Sequence, residues 1–417
     1  MKKKQDNLPV PAFVCGEIGL VQSLGIAGIP VYVGSEYEEN LAFYSCFAQK
    51  KILMPPYDSG KFIEKLLEFG DRVAHKPLLF TDDDQALLAI SRNRRALQQK
   101  YRFLLPAERV VEQIHDKQQF YKKAGDCELP VPETYTITSY STLKAIQHKL
   151  SFPCILKPAN TKDWRNDEFV KIFGSNKKAI RCDNNNEVLL FYKKISKINP
   201  KVILQEFIEG EDHRHYSINM YFDKEGNLKG YYSYQKLRMY PIGAGRGSFF
   251  ETVHDREILE KAIDAAKKFE MRGLVNLQFK KDCDSGILKL IEMEARLSIS
   301  SFLGPASGMN LAEQYYYDLI GWEAKTTNNY RPGIKYADLL RDIKAFVAYR
   351  RQKKLSFRNW IRSYKGKCVY SGYLLNDPRP MLQDIWLVFR NRAIKNKKSQ
   401  KKYNRESTSK LVKSKSS

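Results

Sequence analysis

Residues 274–279 read LVNLQF and residues 288–301 read LKLIEMEARLSISS, with Asp284-Ser-Gly286 between them. Two apolar-rich runs joined across an Asp-Ser-Gly turn predict a pair of antiparallel strands. In a strand the side chains of i, i+2 and i+4 share a face. Glu292, Glu294 and Arg296 therefore lie together, while Ile291, Met293 and Ala295 point into the core. Gln278, on the partner strand, can face the same way. Two carboxylates and an amide aimed at one spot are hard oxygen donors, suited to a Mg²⁺ ion shared with phosphate oxygens. The blander reading of the same residues is a solvated sheet face with a Glu–Arg pair.

Upstream of this hairpin the chain alternates strands and helices. Residues 11–34, PAFVCGEIGLVQSLGIAGIPVYVG, predict strand, glycine turn, amphipathic helix and second strand, the opening of a parallel sheet. The turn Gly16-Glu-Ile-Gly19 lacks the GxG pair and third glycine of a dinucleotide fingerprint, so it reads as a structural turn. A helix near Lys61–Phe69, a strand at Pro77–Thr81 and a helix from Asp84 to about Gln99 follow, the last capped by Thr81-Asp-Asp-Asp84. Asp116–Glu133 predicts a helix and a proline-flanked strand entry. FPCILKP at 152–158 is a short buried strand, and the polar run 159–167 after it reads as a mobile loop. Val202–Phe207, Tyr216–Phe222 and Gly230–Lys236 are strands, and Glu257–Phe269 is an amphipathic helix. The layout is α/β (α+β). We expect a parallel-sheet domain over 1–110, a two-lobed domain over 111–325 (small lobe about 111–205, large lobe about 206–325), a helical extension over 326–390 and a disordered tail over 391–417.

Composition narrows the function classes. The chain has 417 residues, 71 Lys+Arg and 47 Asp+Glu, a formal charge of +24. No stretch approaches the roughly 18 apolar residues of a membrane span. From Arg392 to Ser417 there are ten Lys/Arg and one Glu, with little to bury. This tail reads as a solvated end, or else as an electrostatic attachment to RNA or an anionic membrane leaflet. Seven cysteines without a CxxC pair, and six histidines without HExxH, read as free thiols and no zinc site. The Met1-Lys-Lys-Lys start resembles a signal n-region, but Pro9, Pro11, Gly16 and Glu17 interrupt the apolar stretch, and the chain reads as cytoplasmic.

Several segments support a phosphate site. Lys157 ends a buried strand just before the loop, and Lys117 opens the preceding block; both can donate to phosphate oxygens. Leu204-Gln205-Glu206-Phe207-Ile208-Glu-Gly210 runs from strand into turn and offers an apolar wall for a flat base, with Asp212 or His213 placed to reach a ribose hydroxyl. In this order, DK at 116–117, FPCILKP at 152–158, LQEFIEG at 204–210, LVNLQF at 274–279 and LIEMEARLSISS at 290–301 resemble the motifs of the ATP-grasp superfamily. Gly308-Met-Asn-Leu311, Asp318-Leu-Ile-Gly321, Lys236-Leu-Arg238-Met-Tyr-Pro241, the loop Gly243-Ala-Gly-Arg-Gly247 and Asn376-Asp-Pro-Arg-Pro380 are similar to its carboxylate–amine ligase branch, which includes D-aspartate ligase-like enzymes.

The resemblance implies ATP with Mg²⁺ or Mn²⁺ as cofactors, and small carboxylate and amine substrates. It implies that Lys117 and Lys157 meet the ATP phosphates, that Glu206, Phe207 and Ile208 frame the adenine, and that Gln278 and Glu292 hold the metal. Arg296 would meet the transferring phosphate or the carboxylate. Arg246 in the glycine loop and Arg238 are further clamp candidates, since a guanidinium binds a carboxylate as a fork. The superfamily's last motif usually reads Glu-x-Asn-x-Arg, and here Glu294 replaces the Asn while Gln278 stands where an acid is usual. We read this as one carboxylate moved across the hairpin at constant charge. The competing readings are a protein that binds ATP without turnover, and a nucleic-acid or anionic-surface binder acting through the tail. No specific nucleic-acid motif is present.

Overall fold

The computed structural model describes residues 10–159, 164, 167–174, 179–243, 245–322 and 329–390. Most of the expected loop at 159–167, Ala244 of the glycine loop and the whole 391–417 tail lie outside the described residues.

Four parallel strands open the chain: β1 (Ala12–Cys15), β2 (Val31–Ser35), β3 (Ala48–Leu53) and β4 (Leu78–Thr81), in the order β3-β2-β1-β4. β1 is buried on both faces and reads AFVC, as a central parallel strand must. β3 was not legible in the sequence: it is an edge strand with exposed Gln49, Lys50 and Lys51, and charge is what an edge tolerates. Asp83 caps the following helix, accepting from the N–H groups of Gln85 and Ala86 at 2.8 and 3.0 Å. That helix is Asp84–Arg92; Asn93 interrupts it before a further turn at Arg94–Leu97, where a single helix was expected.

The second body is an antiparallel sheet of β5 (Thr134–Ile137), β6 (Cys154–Pro158), β7 (Ile180–Cys182) and β8 (Val202–Glu206), ordered β5-β8-β6-β7. Leu143, Val188 and Tyr192, from the helices Tyr140–Ile146 and Asn185–Ile195, fill its core with Leu156, Val202 and Leu204.

The third body is a seven-stranded sheet: β9 (His215–Phe222), β10 (Leu228–Tyr240), β11 (Arg246–Val253), β12 (Gly273–Lys281), β13 (Leu288–Glu294), β14 (Lys335–Ala337) and β15 (Cys368–Tyr370), ordered β13-β12-β9-β10-β11-β14-β15. One face, with Ile218, Met220, Val275, Leu277 and Met293, packs on Ile258, Ala262 and Ala265 of the helix Arg256–Lys268. The opposite face is polar, and it is the floor of the site.

The extension is therefore not helical alone, since β14 and β15 lengthen this sheet. It is tied down at two points. Arg238 on β10 forks onto Asp342 of the helix Leu339–Arg351 at 2.8 Å on each oxygen, with both side chains buried. Asp377 is fully buried against the first domain, accepting from Gln22 Nε2 at 3.0 Å, Ser45 Oγ at 2.6 Å and the Cys46 N–H at 2.8 Å. The Asn376-Asp-Pro-Arg-Pro380 segment is thus a clip onto the parallel-sheet domain.

Candidate active site

Strand register assembles the polar floor. His215 on β9 sits between Lys236 on β10 and Lys280 on β12; Ser217 sits between Tyr234 and Gln278; Asn219 sits between Tyr232 and Asn276. β13 adds Glu292 opposite Gln278 and Glu294 opposite Asn276. One end of this face is cationic and the other carries carboxylates. The Gln278 amide joins the two, with Oε1 accepting from Lys236 Nζ at 2.6 Å and Nε2 donating to Glu292 Oε2 at 2.9 Å. Burial, and then the charges of Lys236 and Lys280, hold His215 well below its ordinary range, so it is neutral.

Lys157 comes to this face from β6. It donates to Gln205 Oε1 at 2.7 Å, and Gln205 is oriented in turn by Thr134 Oγ1 at 2.7 Å. Burial, and then the like charges of Lys117 and Lys280, bring the Lys157 ammonium down to about 7. Lysines gathered at one end of this face and joined across an amide to paired carboxylates at the other are an arrangement that suits an anion together with a cation.

The donor set fits Mg²⁺ or Mn²⁺. Gln278 Nε2 donates to Glu292 and its Oε1 accepts from Lys236, so the amide must turn to offer its oxygen beside Glu292; Glu294 is one strand pair further on. Among the described residues no group of three or more His, Cys, Asp and Glu side chains could hold a metal ion by itself. An open set completed by phosphate oxygens suits Mg²⁺ better than an all-protein cage does. Gln278 and Glu292 would hold the ion, with Glu294 beside them.

Arg296 joins this floor to the first domain. Its Nη2 reaches Glu294 Oε1 at 2.7 Å and its Nε reaches Asp84 Oδ1 at 2.6 Å. Burial, and then the Glu292 charge, push the Glu294 carboxyl up, against the pull of Arg296. Close by, Asp82 follows the end of β4. It is 5% exposed, its Oδ1 accepts from the Glu17 N–H at 3.0 Å, and its Oδ2 is buried without a partner among the described residues. Burial, and then Glu17, push it up to about 7. Gly16 is required here, because a Cβ would come within 2.2 Å of Asp82 Oδ1. A Cβ on Gly19 would press on Ser301 Oγ at 3.0 Å, so both glycines of this turn are there for packing. Glu17 and Asp82 follow the ends of β1 and β4, where the strand order reverses and open parallel sheets bind ligands.

The remaining expected residues separate into two groups. Lys117 opens the helix Lys117–Asp126 near Lys157, and Arg246 starts β11, exposed at the mouth, where its charge acts on Glu17. Phe207 lies in the cleft wall, its ring under Lys280 Nζ at 4.9 Å, and the Ile208 carbonyl accepts from Lys280 at 2.6 Å. Glu206 pairs with Lys289 and accepts from the Glu133 N–H at 3.0 Å, so its carboxylate is engaged at the lobe surface. Asp212 is buried, with one oxygen on the Gly243 N–H at 2.9 Å and the other on the Tyr349 hydroxyl; its carboxylate holds the glycine loop and is not offered to a sugar. His213 is exposed beside Glu211 at 3.5 Å. Arg238 is the clear correction: Asp342 fills its fork and Phe249 lies against its guanidinium at 4.1 Å, so it cannot clamp a substrate.

Lys236, His215, Lys280, Asn276, Asp82 and Asp84 were missed as site residues. The alternation His215-x-Ser217-x-Asn219, and Lys280 two residues past Gln278, were the available signals. Beneath them Asn219 bonds Ser298, and Ser298, Ser300 and Tyr234 bond one another at 3.0 Å, a buried network that stiffens the floor.

In fold, a parallel-sheet domain followed by the two sheets that form the site, the chain is similar to several solved ligases and a carboxylase. No protein-family model matches the sequence. The D-aspartate ligase of Enterococcus faecium (strain Aus0004) is 27% identical over 273 residues. That match takes in 62% of this chain and 64% of the relative, so the chain covers less than two thirds of that enzyme's length. Among solved structures, the L-amino acid ligase from Bacillus licheniformis superposes with a TM-score of 0.59 at 15% identity, over 79% of this chain and 78% of that one. N5-carboxyaminoimidazole ribonucleotide synthetase from Thermus thermophilus gives 0.58 at 14% identity, over 78% and 81%. Biotin carboxylase from Campylobacter jejuni, in a complex with an ATP analogue, gives 0.57 at 16% identity, over 75% and 71%.

Proposed function

We propose that the protein is an ATP-dependent carboxylate–amine ligase. The observation that carries this reading is the polar sheet face on which Lys236 leads through Gln278 to Glu292, with Lys280 and Glu294 on the same face and Lys157 reaching it from β6, beside the acidic strand ends of the first domain. A substrate carboxylate attacks the γ-phosphorus of ATP, and ADP leaves. An amine then attacks the acyl phosphate, inorganic phosphate leaves, and an amide remains. Lys117 and Lys157 bind the phosphates, and Phe207 and Ile208 wall the base. Bound at Gln278 and Glu292, the divalent ion supplies neutralisation of phosphate charge. Arg296, fixed by Glu294 and Asp84, is set to meet the transferring phosphoryl group, and Arg246 to meet the incoming carboxylate. Asp82, with one free oxygen, is the group placed to take the proton that the amine loses. Little covalent work falls to the protein, so positioning and charge dominate.

The relative's name makes D-aspartate the first amino acid to try. ADP release should rise when the right carboxylate and amine are both present, in a panel pairing D-aspartate and other amino acids with carboxylate acceptors. Acceptor-independent nucleotide binding with no ADP release from any pair would leave an ATP-binding protein without ligation.

Glu294→Gln separates the roles of the two carboxylates. It keeps an acceptor for Arg296 but removes a charge, so Mg·ATP affinity should fall by roughly tenfold, about the worth of one charge-assisted contact. Titration calorimetry reads this directly; unchanged affinity and turnover would mean that Glu294 serves Arg296 alone.

A further inference from the structure

The positive charge of the chain is concentrated. Residues 339–390 hold twelve Lys and Arg against three Asp, and residues 391–417 hold ten against one Glu. This last fifth of the sequence therefore carries a net +18 of the total +24. Two of the three aspartates do not offset it on the surface, since Asp342 and Asp377 are fully buried; Asp384 is half-buried and accepts from the Tyr373 hydroxyl at 2.6 Å.

Residues 379–390 are helical and end the described chain. Asp384 holds this helix to Tyr373, and Arg390 pairs with Glu39 of the first domain at 3.0 Å. Its other side is apolar and uncovered. Leu382, Ile385, Trp386 and Phe389 are 60%, 44%, 51% and 64% exposed, at the i, i+3, i+4, i+7 spacing of a single stripe. Leu375 projects fully from the turn before it. Arg379 and Arg390 flank the stripe, and the lysine-rich sequence follows at once.

We propose that this stripe and the basic sequence after it dock the protein on an anionic lipid bilayer surface. An amphipathic helix in the interface sinks its apolar side into the headgroup and acyl boundary, and adjoining Lys and Arg meet lipid phosphates. Among the described residues no helix is long and apolar enough to cross a membrane, so the contact is lateral. A second copy is a poor occupant, because it would press one +18 segment against another. A nucleic acid accounts for the lysines and leaves Leu382 and Ile385 without a role, since neither can stack on a base or bind phosphate. The proposal does not depend on ligation.

The test is co-sedimentation of the full-length protein with phosphatidylcholine vesicles, with and without phosphatidylglycerol. Binding should require phosphatidylglycerol and fall at high salt. The double variant Leu382→Ser/Phe389→Ser, and separately Lys397→Gln/Lys398→Gln/Lys401→Gln/Lys402→Gln, should each weaken it by roughly tenfold or more. Thermal melts equal to the parent's confirm that both variants are folded, and the second leaves the helix untouched. The proposal is overturned by no binding to anionic vesicles, by undiminished binding of the Leu382/Phe389 variant, by tighter binding to an RNA oligonucleotide than to vesicles, or by a dimer that this variant converts to monomer.

Discussion

Asp342→Ala should lower the free energy of unfolding by about 3–5 kcal/mol, the usual cost of stripping one partner from a buried ion pair. The loss is large because Asp342 is an acceptor for four side chains at once. Besides Arg238, it receives Ser248 Oγ at 2.9 Å, Trp360 Nε1 at 2.7 Å and Tyr364 OH at 2.6 Å. Without it the buried Arg238 guanidinium falls back on Ser363 Oγ at 3.0 Å and Ser248 Oγ on the Arg238 carbonyl at 3.3 Å, the half-buried Trp360 and Tyr364 donors lose their acceptor, and each loss adds its own desolvation cost. Urea denaturation monitored by circular dichroism gives the number. The same variant decides what Arg238 is for. A substrate clamp would show as a raised KM for the carboxylate with stability intact; a stability change below about 1 kcal/mol, the scale of an exposed pair, would refute the buried-anchor assignment.

Lys157→Ala should cut acceptor-dependent ADP release by about 10²–10³-fold, the scale of removing one preorganised charge from a transition state. Full ADP release in this variant would mean that the phosphates lie elsewhere. A pH signature accompanies it. In the nucleotide-free protein Lys157 titrates at about 7, below its ordinary 10.5, so between these values the folded chain holds fewer protons than the unfolded chain. Stability contributed through this group therefore rises with pH across that window. Bound phosphate favours the ammonium, so above about pH 7 nucleotide binding takes up a proton and affinity falls as pH rises. Calorimetry at about pH 8, inside that window, in two buffers of different ionisation enthalpy should show the uptake in the parent and lose it in Lys157→Ala.

What the sequence made legible follows from how local each signal is. The β12–β13 hairpin could be read because its alternation and its turn are contiguous, and the same alternation put Glu292 and Glu294 on one face. Lys157 stood out because it is the one cation in β6, a strand whose Cys154, Leu156 and Pro158 are buried. By contrast, β14 and β15 are three-residue strands whose stability comes from the sheet they join. Arg238 carried the right chemistry for a clamp, but its partner lies 104 residues away, and no local pattern announces it. Asp212 failed as a sugar contact for a similar reason, since Tyr349 comes from the extension. Asp82 was read as part of a cap, while Asp83 does the capping and leaves Asp82 facing Gly16.

The two anchors of the extension decide which body moves. A chain pinned to the large sheet at Asp342 and to the parallel-sheet domain at Asp377 straps those two bodies together, and Arg296–Asp84 adds a third tie between them. Opening between them would have to expose a buried carboxylate. The four-stranded body that carries Lys157 and Gln205 meets the large sheet instead through the Glu206–Lys289 pair and the Lys280–Ile208 hydrogen bond, both at the end of β8. Should the site open, we expect that body to carry Lys157 with it, while Gln278, Glu292 and Arg296 keep their places on the strapped pair.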